Sequence, residues 1–276
     1  MPLATRRETL QQYNFECACD RCKRHLSVYQ VEYSALPEWS VVKRSNHAAL
    51  TDSALQEIAK KSAELPHLPE PLPARHAALK AQYASAKHLV DADLWAVSPV
   101  PQLLTETSIY YAQRADFSRA LALAALLATA CDPFRYPAPF HPVRVKNLFM
   151  VAKLLANTAE ITMLSSPVAG AAVDSKLREA LLDIDQVSLC HMLLILIVNM
   201  CPGELAPWEL CVSAREMLDD VQQLPGREQD LSLINMWAAD AKADESGVFF
   251  EYAVVKQLDV LAALGREVVG VFSTSG

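Results

Sequence analysis

Three of the chain's seven cysteines, Cys17, Cys19 and Cys22, fall within six residues of one another in the stretch YNFECACDRCK, and the other four are scattered far downstream. A thiolate is a strong ligand for Zn²⁺, and a structural zinc site asks for four such ligands in a tetrahedron. Cys-x-Cys-x-x-Cys supplies three of them from one tight turn, so the spacing points to zinc and leaves one ligand to be found. A redox Cys-x-x-Cys pair is the competing chemistry, but it belongs to a βαβ setting that is absent here and leaves the third cysteine unexplained. His25, three residues after Cys22, would close a self-contained Cys₃His knuckle, although four ligands within nine residues leave little room for a tetrahedron. A cysteine from elsewhere is the rival. Cys131, Cys190, Cys201 and Cys211 lie in or beside apolar helical runs, which favours reading them as small buried hydrophobes.

The elements that must position this cluster are helical. Sixteen prolines, seven glycines and abundant Ala and Leu describe helices separated by proline-containing connections, giving a mostly α fold. Residues 1–34 hold the cysteines and little apolar periodicity, and form a small module; residues 35–276 form the helical domain. Apolar spacing predicts a helix over 52–65, a proline-rich break at 65–73, and helices from about Ala74 (Leu79, Tyr83, Ala86, Val90) and over Pro101–Arg114 (Leu104, Ser108, Tyr111). A two-residue corner at Ala115 and Asp116 leads into a helix apolar almost all round, ended by Asp132 and Pro133. After PFRYPAPFHP a helix over 143–161 carries Leu148, Val151, Ala152, Leu155 and Ala159 on one face, and Pro142 suits its first turn. Further helices are expected at 175–184, 187–200, 206–223, 230–242 and 248–264. Their similar lengths and short links suggest stacked hairpins of tetratricopeptide type, without a strict 34-residue repeat.

A net charge of −7 argues against a polyanion-binding protein, because nucleic-acid affinity rests on Lys and Arg neutralising phosphates. The basic residues near the cysteines (Arg6, Arg7, Arg21, Lys23, Arg24) read as a solvated face. No secretory signal opens the sequence, which gives the expectation of an intracellular, reducing compartment, cytoplasm or nucleus. The longest run, MLLILIV at 192–198, is too short to span a bilayer and reads as a buried helix, so no membrane partner is expected. No phosphate loop, His-Glu-x-x-His or Gly-x-Ser-x-Gly turn occurs. His67, His76, His88, His141 and His191 lack ligand spacing and read as solvent-facing or hydrogen-bonded, and the acids Asp219, Asp220 and Asp240 to Glu245 as solvated.

The run from Arg6 to Cys22, RRETLQQYNFECACDRC, resembles the post-SET segment of the SET and MYND domain (SMYD-type) protein lysine methyltransferases. The likeness continues through YYAQRADFSRALAL and RYPAPFHPVRVKNLFMVAKLLANTAE, covering roughly residues 6–160, and implies a post-SET-like zinc module followed by a tetratricopeptide-like helical domain. In that family the three cysteines bind zinc with a fourth from the SET domain, which would make His25 a bystander. By position, Tyr13 would line the channel for the target lysine and Phe15 would pack on the adenine of S-adenosylmethionine. Such chemistry needs an apolar aromatic tunnel that desolvates a neutral amine and aligns it with the sulfonium methyl. The simpler reading makes both rings packing for the zinc module.

The SET core itself, with its glycine-rich and Asn-His motifs and terminal tyrosine, has no counterpart in these residues. On the resemblance it would lie N-terminal to Met1, which is then expected to be an internal start or a truncated gene product. The expectation is the C-terminal part of an S-adenosylmethionine-dependent protein lysine methyltransferase acting on a protein or peptide, histone included, and inactive alone. The alternative is a stand-alone zinc knuckle joined to a helical-repeat scaffold that binds proteins.

Overall fold

The computed structural model describes residues 10–11, 13–14, 16–24, 26–30, 47, 49–136, 138, 140–164, 172–201, 208–239 and 244–274. Among these residues every regular element is helical and no strand occurs. In chain order they are α1 (Asp20–Lys23), α2 (Asp52–Ala59), α3 (Leu72–Asp91), α4 (Val100–Gln113), α5 (Phe117–Ala130), α6 (Asp132–Arg135) and α7 (Pro142–Leu164). Then follow α8 (Ala172–Asp183), α9 (Gln186–Met200), α10 (Glu209–Gln222), α11 (Glu228–Ala239), α12 (Asp244–Phe250), a π-turn at Glu251–Val255 and α13 (Lys256–Thr274).

Local signals set the helix ends. Thr51 caps α2 by accepting from the Ala54 N–H, and prolines occupy the first turns of α3 and α4, where a missing N–H costs nothing. The corner between α4 and α5 follows the sequence closely. Ala115 adopts φ +57°, and the Asp116 carboxylate accepts from the Arg119 N–H to start α5. Asp185 caps α9 in the same way through the Ser188 N–H.

Along the chain α3 packs on α4, α4 on α5, α5 on α7, α7 on α9 and α9 on α10. Helix α5 is the axis of the core, with Ala120 to Thr129 all buried. Burying one such leucine is worth ~2 kcal/mol, and Leu121, Leu123 and Leu126 are each wholly enclosed. The most extensive pairing is not between neighbours in sequence: α13 returns to lie along α5. Gly265 permits this, since a Cβ there would stand 2.4 Å from the Ala122 carbonyl oxygen. Near the end of α13, Phe272 packs edge-on against His76, Tyr83, Tyr110 and Tyr111.

Three departures from the expected boundaries have a clear physical reason or size. The stop at Asp132 and Pro133 is one further helical turn, α6, because Asp-Pro also starts helices. The last helix runs on to Thr274, past Gly265 and Gly270, because burial of Val268, Val269 and Phe272 outweighs the glycine penalty. The helix expected over 52–65 is shorter, ending at Ala59. Phe117–Arg135 is long and apolar enough to cross a bilayer, yet 72% of that stretch is buried within the fold. Helices α8 and α9 are bent 75° apart at their break.

Candidate metal centre

The peptide around the cysteines is shaped by short-range hydrogen bonds. Tyr13 N–H donates to the Leu10 carbonyl and Asn14 N–H to that of Gln11, after which Asn14 turns the chain with φ +51°. The Cys19 carbonyl then accepts from both Cys22 N–H (3.0 Å) and Lys23 N–H (2.9 Å), closing the single turn α1. That turn puts Cys19 and Cys22, three residues apart, on one side. Cys17, on the irregular stretch before it, joins them.

The three Sγ atoms all lie within 4.8 Å of one another. A tetrahedral ion with Zn–S bonds of about 2.3 Å would hold its sulfurs about 3.8 Å apart, so the trio needs only a small contraction to grip a metal ion. Cys22 is buried, Cys17 half-buried and Cys19 exposed, so the group opens toward solvent on the Cys19 side. The side chains of Lys23 and Arg24, next in sequence, are exposed.

Among the described residues the group holds these three ligands and no fourth. The downstream cysteines are committed elsewhere. Cys131 is buried, its thiol donating to the Trp95 carbonyl at 3.2 Å, and burial holds its pKa well above the usual value. Cys190 donates to the Ala152 carbonyl at 3.4 Å and is pushed up to about 12 by burial. Cys201 and Cys211 form a disulfide. This corrects their reading as separate reduced hydrophobes: the corner between α9 and α10 brings together two cysteines that the sequence shows only as parts of different apolar runs. His25 and Phe15 lie outside the described residues.

Tyr13, four residues before Cys17, is 75% exposed. Its ring is thus largely in solvent beside the cysteine turn. The segment that does anchor this region follows the cysteines. Ser27, Val28 and Tyr29 are buried, and Tyr29 Oη accepts from the Ala96 N–H at 3.0 Å while its ring lies 5.1 Å from that of Phe134. Nothing in the sequence LSVYQVEY distinguishes Tyr29 as an anchor from the apolar and aromatic residues around it. Under it, a cavity of about 40 Å³ is lined by Val28, Asp52, Leu55, Ala96 and Val97, room for little more than water.

A second polar hollow, about 130 Å³, lies between α4, α6 and α7 and is lined by Gln102, Thr105, Asp132, Arg135, Tyr136 and Asn147. Asp132 accepts from Asn147 Nδ2 at 2.6 Å, and burial pushes its carboxyl up to about 7 against the opposing pull of that bond and of Arg135 and Arg144. The sequence offered Asp132 only as a helix stop. Neither hollow approaches the ~300–1,000 Å³ of a cofactor site.

Of the histidines, His67 is exposed and His88 bonds the Ile58 carbonyl at 2.8 Å, whereas His76 is half-buried and meets Phe272 edge-on. His141 Nδ1 accepts from the Val143 N–H while its ring stacks on Tyr136 at 4.2 Å. His191, wholly buried, meets Gln222 at 3.5 Å, and its pKa is lowered to about 4 by burial and by Arg227.

No protein-family model, no curated protein and no solved structure matches this chain.

Proposed function

We propose that this chain is the zinc-bearing and helical C-terminal part of a SET-type protein lysine methyltransferase. The observation that carries the reading is a turn that gathers three thiols within 4.8 Å of one another, preceded by an aromatic ring, Tyr13, left in solvent. A lysine channel needs such an aromatic wall at its edge. On this reading Cys17, Cys19 and Cys22 hold zinc with a cysteine from a SET core, and Tyr13 faces the target lysine. The helices, stacked as tetratricopeptide-like hairpins, wall the substrate cleft.

The zinc has a structural task here: it ties the Tyr13 turn to the catalytic core. Tyr13 would supply an apolar wall that strips water from the lysine amine, so that a neutral nitrogen meets the methyl donor in line. Phe15 is carried over by sequence position as the contact to S-adenosylmethionine. The partner is a protein or peptide substrate, histone among the candidates, with neither nucleic acid nor membrane involved, in the cytoplasm or nucleus.

The test is the coding sequence upstream of Met1 in the transcript, together with zinc stoichiometry. An open frame encoding an Asn-His-x-Cys segment and a terminal tyrosine supports the reading, and an in-frame stop directly upstream sinks it. In the chain as given, His25→Ala should leave zinc binding unchanged. A loss of tight zinc binding in that variant would instead mark a Cys₃His knuckle and a stand-alone interaction module.

A further inference from the structure

We infer that the Cys201–Cys211 disulfide is a reversible redox latch that holds helix α10 against the core. The bond joins the C-terminal cap of α9 to the first turn of α10 across ten residues of sequence. The helix it fastens is poorly anchored otherwise. Helix α9 buries ten of its residues, whereas α10 fully buries only Cys211, Ala214 and Val221, two of them too small to contribute much apolar area. Leu210, Met217 and Leu218 are only partly covered, and at the far end the tie is the polar contact of Gln222 with His191. A helix with so little buried surface opens locally at low cost, so a cross-link at its start has a large effect on its population.

The two sulfurs are placed for directional exchange. Cys201 is half-buried at a helix end and open to attack, while Cys211 is enclosed. Cys211 is the third residue of α10, a fourteen-residue helix, so the exchange begins at the less enclosed sulfur, Cys201. A thiolate of a dithiol reductant attacks Cys201 Sγ, breaking the S–S bond, forming a mixed disulfide and expelling Cys211 as thiolate, which then takes up a proton. The second thiol of the reductant attacks the mixed disulfide and releases Cys201. The chain gains two electrons, the reductant becomes a cyclic disulfide, and the reverse sequence re-forms the bond. Disulfides inside cells are commonly of this transient kind, and the same chain keeps five other cysteines out of disulfides.

The experiment equilibrates the full chain in graded ratios of reduced and oxidised dithiothreitol. The state of Cys201 and Cys211 is read by alkylation and peptide mass, and amide hydrogen exchange is followed in α10 and α5. The bond is expected to open and re-form reversibly while α5 stays protected, and exchange in Glu209–Gln222 to rise at least about tenfold on reduction. Cys211→Ser and Cys201→Ser should each show the fast α10 exchange at every ratio. A bond that yields only when α5 also loses protection overturns the latch. So does a bond that opens without changing α10 exchange, or one that never forms under oxidising conditions. Should neither variant fold, the wild-type titration decides alone.

Discussion

The cysteine turn and helix α5 are held in place by different forces. Cys17, Cys19 and Cys22 are gathered by a four-residue helix and two hydrogen bonds to one carbonyl, with Cys19 open to water. The leucines of α5 are gathered by nothing local: they are enclosed because α4, α7 and α13 all pack on that helix. The first region is shaped by bonds within a few residues of sequence, the second by packing from all sides. Damage to the core should therefore spread through the molecule, and damage to the cysteine turn should stay where it is made.

The largest effect is expected in the core. Leu155 on α7 is wholly buried, and Leu155→Ala removes apolar contacts and leaves a cavity, costing about 2–5 kcal/mol. Chemical denaturation should show one lowered transition reporting on α5 and α9 alike. A loss under about 1 kcal/mol would mean that the region repacks freely and is not a close-packed core.

Next comes the buried acid beside it. The Asp132 carboxyl has an ordinary value of 3.8 and is raised to about 7 in the fold, first by burial. Between those values the folded chain holds a proton that the unfolded chain has released, so this group's contribution falls as pH rises from about 4 to about 7 and is constant above. At about 1.4 kcal/mol per unit, the loss is on the order of 4 kcal/mol. Asp132→Asn keeps an acceptor for Asn147 and should remove that slope, gaining on wild type as pH rises through the window. Parallel pH profiles of wild type and variant would show that the acid ionises freely in the fold.

What the sequence revealed divides along the same line. Helix positions from α3 to α7 were legible because apolar residues recur at 3.6-residue spacing, and the Ala115–Asp116 corner because a cap residue announces itself locally. The cysteine trio was legible for the same reason: its spacing is its signal. The Cys201–Cys211 bond was not, since it depends on how α9 and α10 turn about residues carrying no mark of the pairing. The return of α13 onto α5 was hidden for another reason. Gly265 and Gly270 look like helix breakers in isolation, and only the close approach to Ala122 explains the first of them. Asp132 looked like punctuation because burial, which changes its acidity, is a tertiary property.

Tyr29, seven residues after Cys22, ties the chain to the helical core at Ala96 and Phe134, and a smaller effect is expected there. Tyr29→Phe takes the acceptor from the Ala96 N–H, a buried donor with a bond of 3.0 Å, at a cost of about 1–3 kcal/mol. If this residue couples the regions, exchange should accelerate in residues 26–30 and 94–97 before it does in α5. Equal acceleration everywhere would make Tyr29 an ordinary core residue.

The smallest effect on overall stability is expected where the chemistry is most conspicuous. Cys19 is exposed, and Cys19→Ser removes one of the three gathered sulfurs without opening a cavity. Surface changes of that kind stay within about 0.5 kcal/mol, so the metal-free melting temperature should move by less than about 2 °C in a chain of this size. Zinc, however, should no longer bind at the affinity of the intact trio, because the neutral hydroxyl that replaces the thiolate is a far poorer ligand for it. Adding zinc to wild type should protect amides at 16–24 while leaving α5 unchanged. A zinc-dependent rise of the whole melting transition would join the two regions into one cooperative unit, since a ligand stabilises everything that must fold to bind it. The comparison then turns on whether the metal's binding energy reaches the leucines of α5 or ends at the Cys19 turn.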